Sequence, residues 1–482
     1  MLTQSASTLT SELSKRGRLV ATIVILLAAA MDLLDTTIVN IAIPTIQHSL
    51  HAGFSLIQWL LVGYTLTFAV TLISGGRLGD IFGYKKLFMI GVSGFGLMSV
   101  LCGLAPNIET LVAFRILQGA CAALMVPQAT SLIQLLYKPK ERGTVMGLFG
   151  AIGGLSAILG PLIGGALLHA NVANLGWRML FFVNLPVALA ALVAARYLLP
   201  GGKSPHPLRL DSVGTILITI ALTFLVLPLI QGRDLHWPLW TFAMLLASVP
   251  FFIVFLVWER HRNKQAHASL IEFSLFKQAT FKHGLLLNAL FEIILGGLLL
   301  AFTLVLQQGL GLSALQAALA TIPMIIGIVI GVAILGEPLI PKLGRYVVTL
   351  GGFVLVVGML ATAIVFHHYG MTVHAWQFAP SIFVQGIGMG LVTGPLFAIT
   401  LQHVDSAHAG SASGILESVE QLGSVFGVVL LGGLFFGNIT HGYEQAFTWV
   451  VYGGVTCALA MLGMSFLLPR HFKSEEELGI DH

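Results

Sequence analysis

Charged residues are scarce in this sequence: 9% of its 482 residues are Asp, Glu, Lys or Arg, where a soluble domain carries roughly a quarter. With 56% apolar residues and so few charges, the chain cannot build one water-facing globule, and its place is in lipid. Cysteine is rarer still. Cys102, Cys121 and Cys457 lie in apolar stretches without paired spacing or a neighbouring His, which argues against a disulfide framework or a thiolate metal site. Catalytic signatures are also missing: there is no His-Glu-x-x-His, no Gly-x-Ser-x-Gly and no ligand-spaced Cys/His cluster. Gly202-Lys203-Ser204 ends like a phosphate-binding loop, but Tyr197 stands where that loop requires its first glycine, so ATP-driven transport loses its main support. The expectation is therefore no enzyme, no cofactor and no metal.

What is present is a series of long apolar runs. Crossing a ~30 Å hydrocarbon core takes about 20 residues in a helix. Runs of that length predict spans at 19–44, 56–75, 87–106, 111–135, 144–168 and 177–199, two more at 212–231 and 239–258, and six more at 283–307, 315–336, 346–366, 376–401, 411–437 and 446–468. The predicted fold is an all-α integral membrane protein of fourteen helices, two six-helix bundles plus two inserted helices. Lys15, Arg16 and Arg18 before the first run resemble a secretory signal, but that run continues past Asp32 and Asp35 to Pro44, too long for a signal core. The 54 glycines are read as close-packing positions between membrane helices rather than as loops.

Loop charge sets the expected orientation. Lysines and arginines at 15–18, 77–86, 138–142, 203–209, 260–264, 342–345 and 470–473 fall on one side, and only Arg178 and Arg233 on the other. An even number of crossings with both termini in the cytoplasm follows. The net charge of +4 is explained by this topology and not by nucleic acid. The expected organisation is a cytoplasmic segment 1–18, a bundle 19–200, the inserted pair 211–258, a cytoplasmic linker 259–282, a second bundle 283–468 and a tail 469–482. The halves echo each other weakly. Arg115-Ile-Leu-Gln118-Gly119 recurs as Ser381-Ile-Phe-Val-Gln385-Gly386, and Asp80-Ile-Phe-Gly83-Tyr-Lys85 as Pro341-Lys-Leu-Gly344-Arg345. Such a duplication suggests two bundles that rock about a central site, as in many secondary transporters.

Ionisable residues inside the spans are few, and each costs at least ~2.5–3.5 kcal/mol to bury at the bilayer centre, so each is a functional candidate. Asp32 and Asp35, three apart, share a helical face. Carboxylates this close in a poorly solvated site compete to stay ionised, so one of them can take up and release a proton at working pH. Asp35 is the first candidate; Asp32 either joins it or only lines the cavity. Glu417 and Glu420 repeat the spacing within Gly414-Ile-Leu-Glu417-Ser-Val-Glu420-Gln421-Leu-Gly423, as candidates for substrate or proton binding. Glu292 stands isolated, a site residue or a satisfied polar group between helices. Arg115 is the one cation expected deep in the membrane and needs an acid, water or carbonyl beside it. It either tunes an acid or acts as a permanent strut. Gly76-Arg77-Leu78-Gly79-Asp80-Ile81-Phe82-Gly83-Tyr84-Lys85-Lys86 is read as a loop with tight-turn glycines, a latch in which Asp80 caps a helix or pairs with a loop cation.

These residues resemble the major facilitator superfamily in its fourteen-helix drug:proton antiporter branch. Leu34-Asp35-Thr36-Thr37-Ile38-Val39-Asn40-Ile41-Ala42-Ile43-Pro44 is similar to the branch's first-helix signature, Gln58-Trp59 through Tyr64 to its second helix, and Gly76 to Lys86 to the superfamily's loop signature. Arg115-Ile-Leu-Gln118-Gly119 with Pro127 resembles the fourth-helix motif, whose arginine is implicated in proton coupling. Gly147 with Gly160-Pro161-Leu-Ile-Gly164-Gly165 resembles the fifth-helix antiporter motif, and Trp177-Arg178, Phe181, Asn184 and Pro186 the sixth-helix signature. Ser156 departs from the antiporter motif's glycine. Glu417 and Glu420 stand where Asn and Arg or Gln are common.

The resemblance implies a multi-pass transporter of the inner or plasma membrane that exports small molecules in exchange for protons by alternating access; a monomer is the expectation for its assembly. Its energy source is the proton gradient. Asp35 and Arg115 inherit the proton-coupling role from the resemblance, with Asp32 expected beside them; Glu417, Glu420, Glu292 and Asp32 are expected to meet substrate on the cost of their burial alone; Gly76, Asp80, Gly83, Lys85, Gly160 and Pro161 would gate. The extra acids point to amphipathic, cationic substrates. Export of a lipid, metabolite or peptide-like compound is the alternative on the same scaffold, and a transporter-derived receptor a remote one.

Overall fold

The computed structural model describes residues 15–137, 159–203, 210–264, 273–402 and 409–469, together with Val145, Leu148, Ser156, Leu270 and Val404. Among these residues every regular element is helical, as a bilayer demands, because a helix satisfies its backbone hydrogen bonds within itself. The helices are α1 (Lys15–Leu50), α2 (Phe54–Phe82), α3 (Tyr84–Gly103), α4 (Ile108–Leu136), α5 (Leu159–Ala170), α6 (Gly176–Leu198), α7 (Ser212–Asp234) and α8 (Leu239–Lys264). They continue with α9 (Ala279–Leu304), α10 (Ala314–Gly336), α11 (Tyr346–Tyr369), α12 (Ala375–Leu401), α13 (Ala409–Asn438) and α14 (Tyr443–Ser465). Thirteen of them are long and apolar enough to cross a membrane, and α5 is shorter. Much of the N-terminal part of the expected span 144–168, Gly147 included, lies outside the described residues. Several helices outrun their apolar stretches: α2 continues to Phe82 and α8 to Lys264. Composition changes where hydrocarbon ends, whereas backbone hydrogen bonding continues into the headgroup region.

The chain forms two compact units, Met1–Leu270 and Ile271–His482. In the first, α2 and α4 touch backbone to backbone. A Cβ on Gly75 would collide with the Ala123 carbonyl, and one on Gly119 with the Tyr64 carbonyl. Gly160 and Gly164 of α5 instead make room for the side chains of Thr37 and Ile41 of α1. Helices α7 and α8 pair and dock on α2: Ser55 donates to the Ile230 carbonyl at 3.0 Å and to Asp234 at 2.5 Å, and the Ser74 and Thr215 hydroxyls lie 2.8 Å apart. Asp211 caps α7 through the Gly214 N–H at 2.8 Å, accepts the Trp258 indole N–H at 3.0 Å, and pairs with Arg262 at 3.5 Å. Arg77 lies within electrostatic reach of Glu259 and Asp211.

That placement corrects the reading of Gly76 to Lys86 as a loop. Gly76, Arg77, Gly79 and Asp80 belong to α2, and the turn is Gly83 alone, at φ 100°. Gly79 is small because the Gln128 side chain occupies the space its Cβ would need, while Gln128 donates to the Gly75 carbonyl at 2.8 Å. A glycine pattern in sequence does not separate turns from close helix contacts, and here it marks mostly contacts.

The second unit repeats the scheme. Gly386 of α12 meets the Met324 carbonyl of α10, and Gly327 of α10 meets the Phe383 carbonyl in return. Helices α9 and α13 pack through Gly296, Gly297, Gly423 and Gly427. The weak sequence echo has a structural counterpart at the turns. Lys85, after the Gly83 turn, donates to the Arg196 carbonyl near the end of α6 at 2.7 Å. Arg345, after the Gly344 turn at φ 54°, donates to the Phe466 and Leu468 carbonyls just past α14 at 2.6 and 2.8 Å. Each half thus seats a cation on orphan carbonyls at a helix C-terminus, where the helix dipole also favours positive charge.

The glycine contacts carry a measurable cost. Gly75→Ala and Gly386→Ala each force α2–α4 or α10–α12 apart and lower stability by about 1–3 kcal/mol. Gly463→Ala, where open space surrounds the Cβ position within α14, leaves stability unchanged or raises it by up to about 1 kcal/mol. Thermal unfolding in detergent, compared across the three variants, checks this.

Candidate functional site

Polar side chains from four helices of the first unit meet around Asp35. Helix α1 brings Asp32 and Asp35, α2 brings Tyr64, α4 brings Arg115 and Gln118, and α6 brings Asn184. All are buried, Asp35 and Arg115 at 1% exposure each. Arg115 NH1 donates to Asp35 Oδ2, forming the buried ion pair, and also to Gln118 Oε1 at 2.8 Å. On the other oxygen, Asp35 Oδ1 accepts from Asn184 Nδ2 at 2.7 Å and from Gln118 Nε2 at 3.3 Å. Asn184 is itself held by a bond to Ser99 Oγ at 2.9 Å, and Ser99 donates to the Phe181 carbonyl at 2.8 Å.

Tyr64 joins the two acids. Its hydroxyl donates to Asp32 Oδ1, and its ring lies 4.1 Å from the Arg115 guanidinium carbon. The Arg115 Nε has no hydrogen-bond partner among the described residues, and the ring face supplies electrostatic compensation there. Gly119, one turn along α4 from Arg115, packs on the Tyr64 carbonyl and so sets the distance at which the ring meets the guanidinium.

The charge balance of this cluster decides its chemistry. It holds two carboxylates and one permanent cation, so with both acids ionised it carries net negative charge in a poorly hydrated interior, which is costly. One bound proton neutralises it.

A second group of acids lies in the other unit. Glu417 and Glu420 sit on α13, and Glu292 on α9. The expectation that Glu292 is isolated does not hold. Gly423, one turn beyond Glu420, packs with its Cβ position 2.8 Å from the Glu292 Cβ, and Glu292 interacts electrostatically with both Glu417 and Glu420. Gln421 Nε2 donates to Glu417 Oε1 at 3.0 Å. Sequence separation concealed the grouping, because it depends on the glycine-mediated packing of α9 on α13. Among the described residues no group of His, Cys, Asp and Glu is arranged to hold a metal ion.

The other singled-out residues are placed as follows. Asp80 accepts the Tyr84 hydroxyl at 2.8 Å across the Gly83 turn and lies within electrostatic reach of Arg77, instead of capping a helix. Lys85 caps α6 as described above. Gly160 abuts Thr37, and Pro161 follows it in α5; Ser156 offers its carbonyl to Thr37 Oγ1 at 3.5 Å. Tyr64, Gln118, Asn184 and Ser99 were not singled out as site residues by sequence reasoning. Their signal was polarity within apolar runs, which identifies neutral side chains far less sharply than charged ones.

The profile of the Major Facilitator Superfamily matches residues 25–428. The chain is 43% identical over 414 residues to a "Probable actinorhodin transporter" of Streptomyces coelicolor, covering 86% of this chain and 72% of that one. It is 32% identical to the puromycin resistance protein of Streptomyces alboniger, covering 95% and 92%. In fold it is similar to the crystal structure of a bacterial homologue of the human lysosomal transporter Spinster, with a TM-score of 0.68, 17% identity and coverage of 96% and 100%. The four-helix cluster, the glycine-packed helix pairs and these matches together make the chain a multi-pass membrane transporter that belongs to the Major Facilitator Superfamily.

Proposed function

We propose that this chain exports small amphipathic molecules of the antibiotic class from the cell in exchange for protons, by alternating access. The observation that carries the proposal is the cluster of two buried carboxylates and one arginine, neutral only with a proton bound. Relatives named as an antibiotic transporter and an antibiotic resistance protein support the direction and the class of cargo. The lysine- and arginine-rich loops support a cell-membrane protein with both termini on the cytoplasmic side.

In this reading Asp35 and Arg115 form a standing ion pair, and Asp32 carries the exchangeable proton through its bond with Tyr64. Loss of that proton leaves the cluster charged and drives the first unit toward the state in which it is rehydrated. Glu292, Glu417 and Glu420, gathered with no cation in ion-pair contact among the described residues, ionise as the cationic part of the substrate arrives and supplies the counter-charge. A unit charge at ~8 Å in an effective dielectric of ~20 gains about 2 kcal/mol, roughly thirtyfold in affinity.

Two experiments test this. In proteoliposomes with an imposed pH gradient, the native chain accumulates a lipophilic cationic dye, whereas Asp35→Asn falls to the level of protein-free vesicles yet still exchanges dye for dye. Gradient-driven accumulation at native rate by Asp35→Asn sinks the assignment. Replacing both Glu417 and Glu420 by Gln raises the dye's KM by about thirtyfold or more and leaves a neutral substrate's KM within about twofold. An equal effect on both substrates would show the acids to be structural.

A further inference from the structure

At the end of the first unit that carries the Gly83 turn, a cavity of about 460 Å³ lies among α2, α3 and the segment after α6. Its polar lining is cationic: Lys85, Lys86 and Lys203 face it, no carboxylate among the described residues does, and Phe82 and Met89 form its apolar wall. The nearest acid in sequence, Asp80, is engaged with Tyr84 and does not line it. Backbone pairing builds the cavity. Tyr84 N–H donates to the Gly202 carbonyl at 2.9 Å, and Gly202 is packed so closely that a Cβ would strike Leu135. The Gly202-Lys203 pair, which does not belong to a nucleotide-binding loop, is thereby docked on the Gly83 turn with its lysine beside the other two. Arg196, an exposed cation on α6, interacts electrostatically with Lys85.

Three lysines gathered with no carboxylate among the described residues of the lining repel one another, so an anion that enters is attracted by all of them. Its source is indicated by the surroundings. The flanking surfaces of α3 and α6 are apolar and exposed, with Ile90 at 47%, Val193 at 60% and Tyr197 at 76%, and in a membrane such faces contact acyl chains. A free phosphate would use the lysines alone; a phospholipid uses both the lysines and the apolar faces. We infer that this cavity binds the headgroup of an anionic phospholipid from the adjoining leaflet, its acyl chains lying along α3 and α6. Lys86 and Lys203, whose side chains are exposed, contact the phosphate directly; Lys85 is shared with the Arg196 carbonyl and fixes the floor of the site.

Native mass spectrometry of the full-length chain, titrated with phosphatidylglycerol or with phosphatidylcholine, tests the site. The native chain retains phosphatidylglycerol preferentially. Lys86→Gln with Lys203→Gln loses about thirtyfold of that affinity, since each lysine near the surface contributes about fivefold, while phosphatidylcholine retention is unchanged. Lys86→Gln alone, a surface change safe for folding, loses about fivefold. Lys86→Arg with Lys203→Arg keeps the affinity, because the charge is what the lipid meets. Equal phosphatidylglycerol affinity in the native and glutamine chains overturns the site. Competition by millimolar inorganic phosphate as effective as competition by a short-chain phosphatidylglycerol overturns the lipid assignment in favour of a soluble anion.

Discussion

A guanidinium that cannot shed its proton sits in the membrane interior at Arg115, and much of the first unit is arranged to make that tolerable. Asp35 supplies the opposite charge, and Gln118 and Asn184 satisfy the carboxylate's remaining lone pairs. The Tyr64 ring covers the face of the guanidinium, a contact that depends on α2 and α4 approaching through Gly119. Removing either partner of such a pair costs about 3–5 kcal/mol, because a bare charge is then left in low dielectric. The ion pair by itself would be a strut. Asp32, one turn away and tied to the same tyrosine, gives the cluster one acid more than its cation can balance.

Much of this was legible in the sequence, and the legible part is the charged part. Asp32, Asp35 and Arg115 stand out because each violates an apolar run, and the penalty for doing so is large. The architecture was legible for a related reason: apolar run length is set by bilayer thickness, and loop charge by topology. Two things were not. Neutral donors such as Asn184 and Ser99 cost too little in an apolar helix to be conspicuous, so the partners of Asp35 emerge only from geometry. Glycine was ambiguous in a second way. The same residue that turns the chain at Gly83 permits helix contact at Gly75, Gly79 and Gly423, and only backbone dihedrals and neighbours separate the roles. The grouping of Glu292 with Glu417 and Glu420 was hidden behind that ambiguity.

The two units solve a common problem at the ends of their helices. Each places a cation after a glycine turn on the carbonyls at the end of its last bundle helix, Lys85 on α6 and Arg345 on α14. They differ in their interiors. The first balances acids against an arginine, whereas the second gathers Glu292, Glu417 and Glu420 on α9 and α13.

In the proposed exchange, the Asp32, Asp35 and Arg115 cluster holds a proton that substrate displaces. The direct measurement is proton release on adding ethidium to the detergent-purified chain in weakly buffered solution with a pH-indicating dye, with ethidium binding followed by anisotropy. The native chain is predicted to release protons in step with binding, and Asp35→Asn to bind ethidium without release. Equal proton release from the two chains, or ethidium binding to the native chain with no release, would rule out the cluster as the exchanging site.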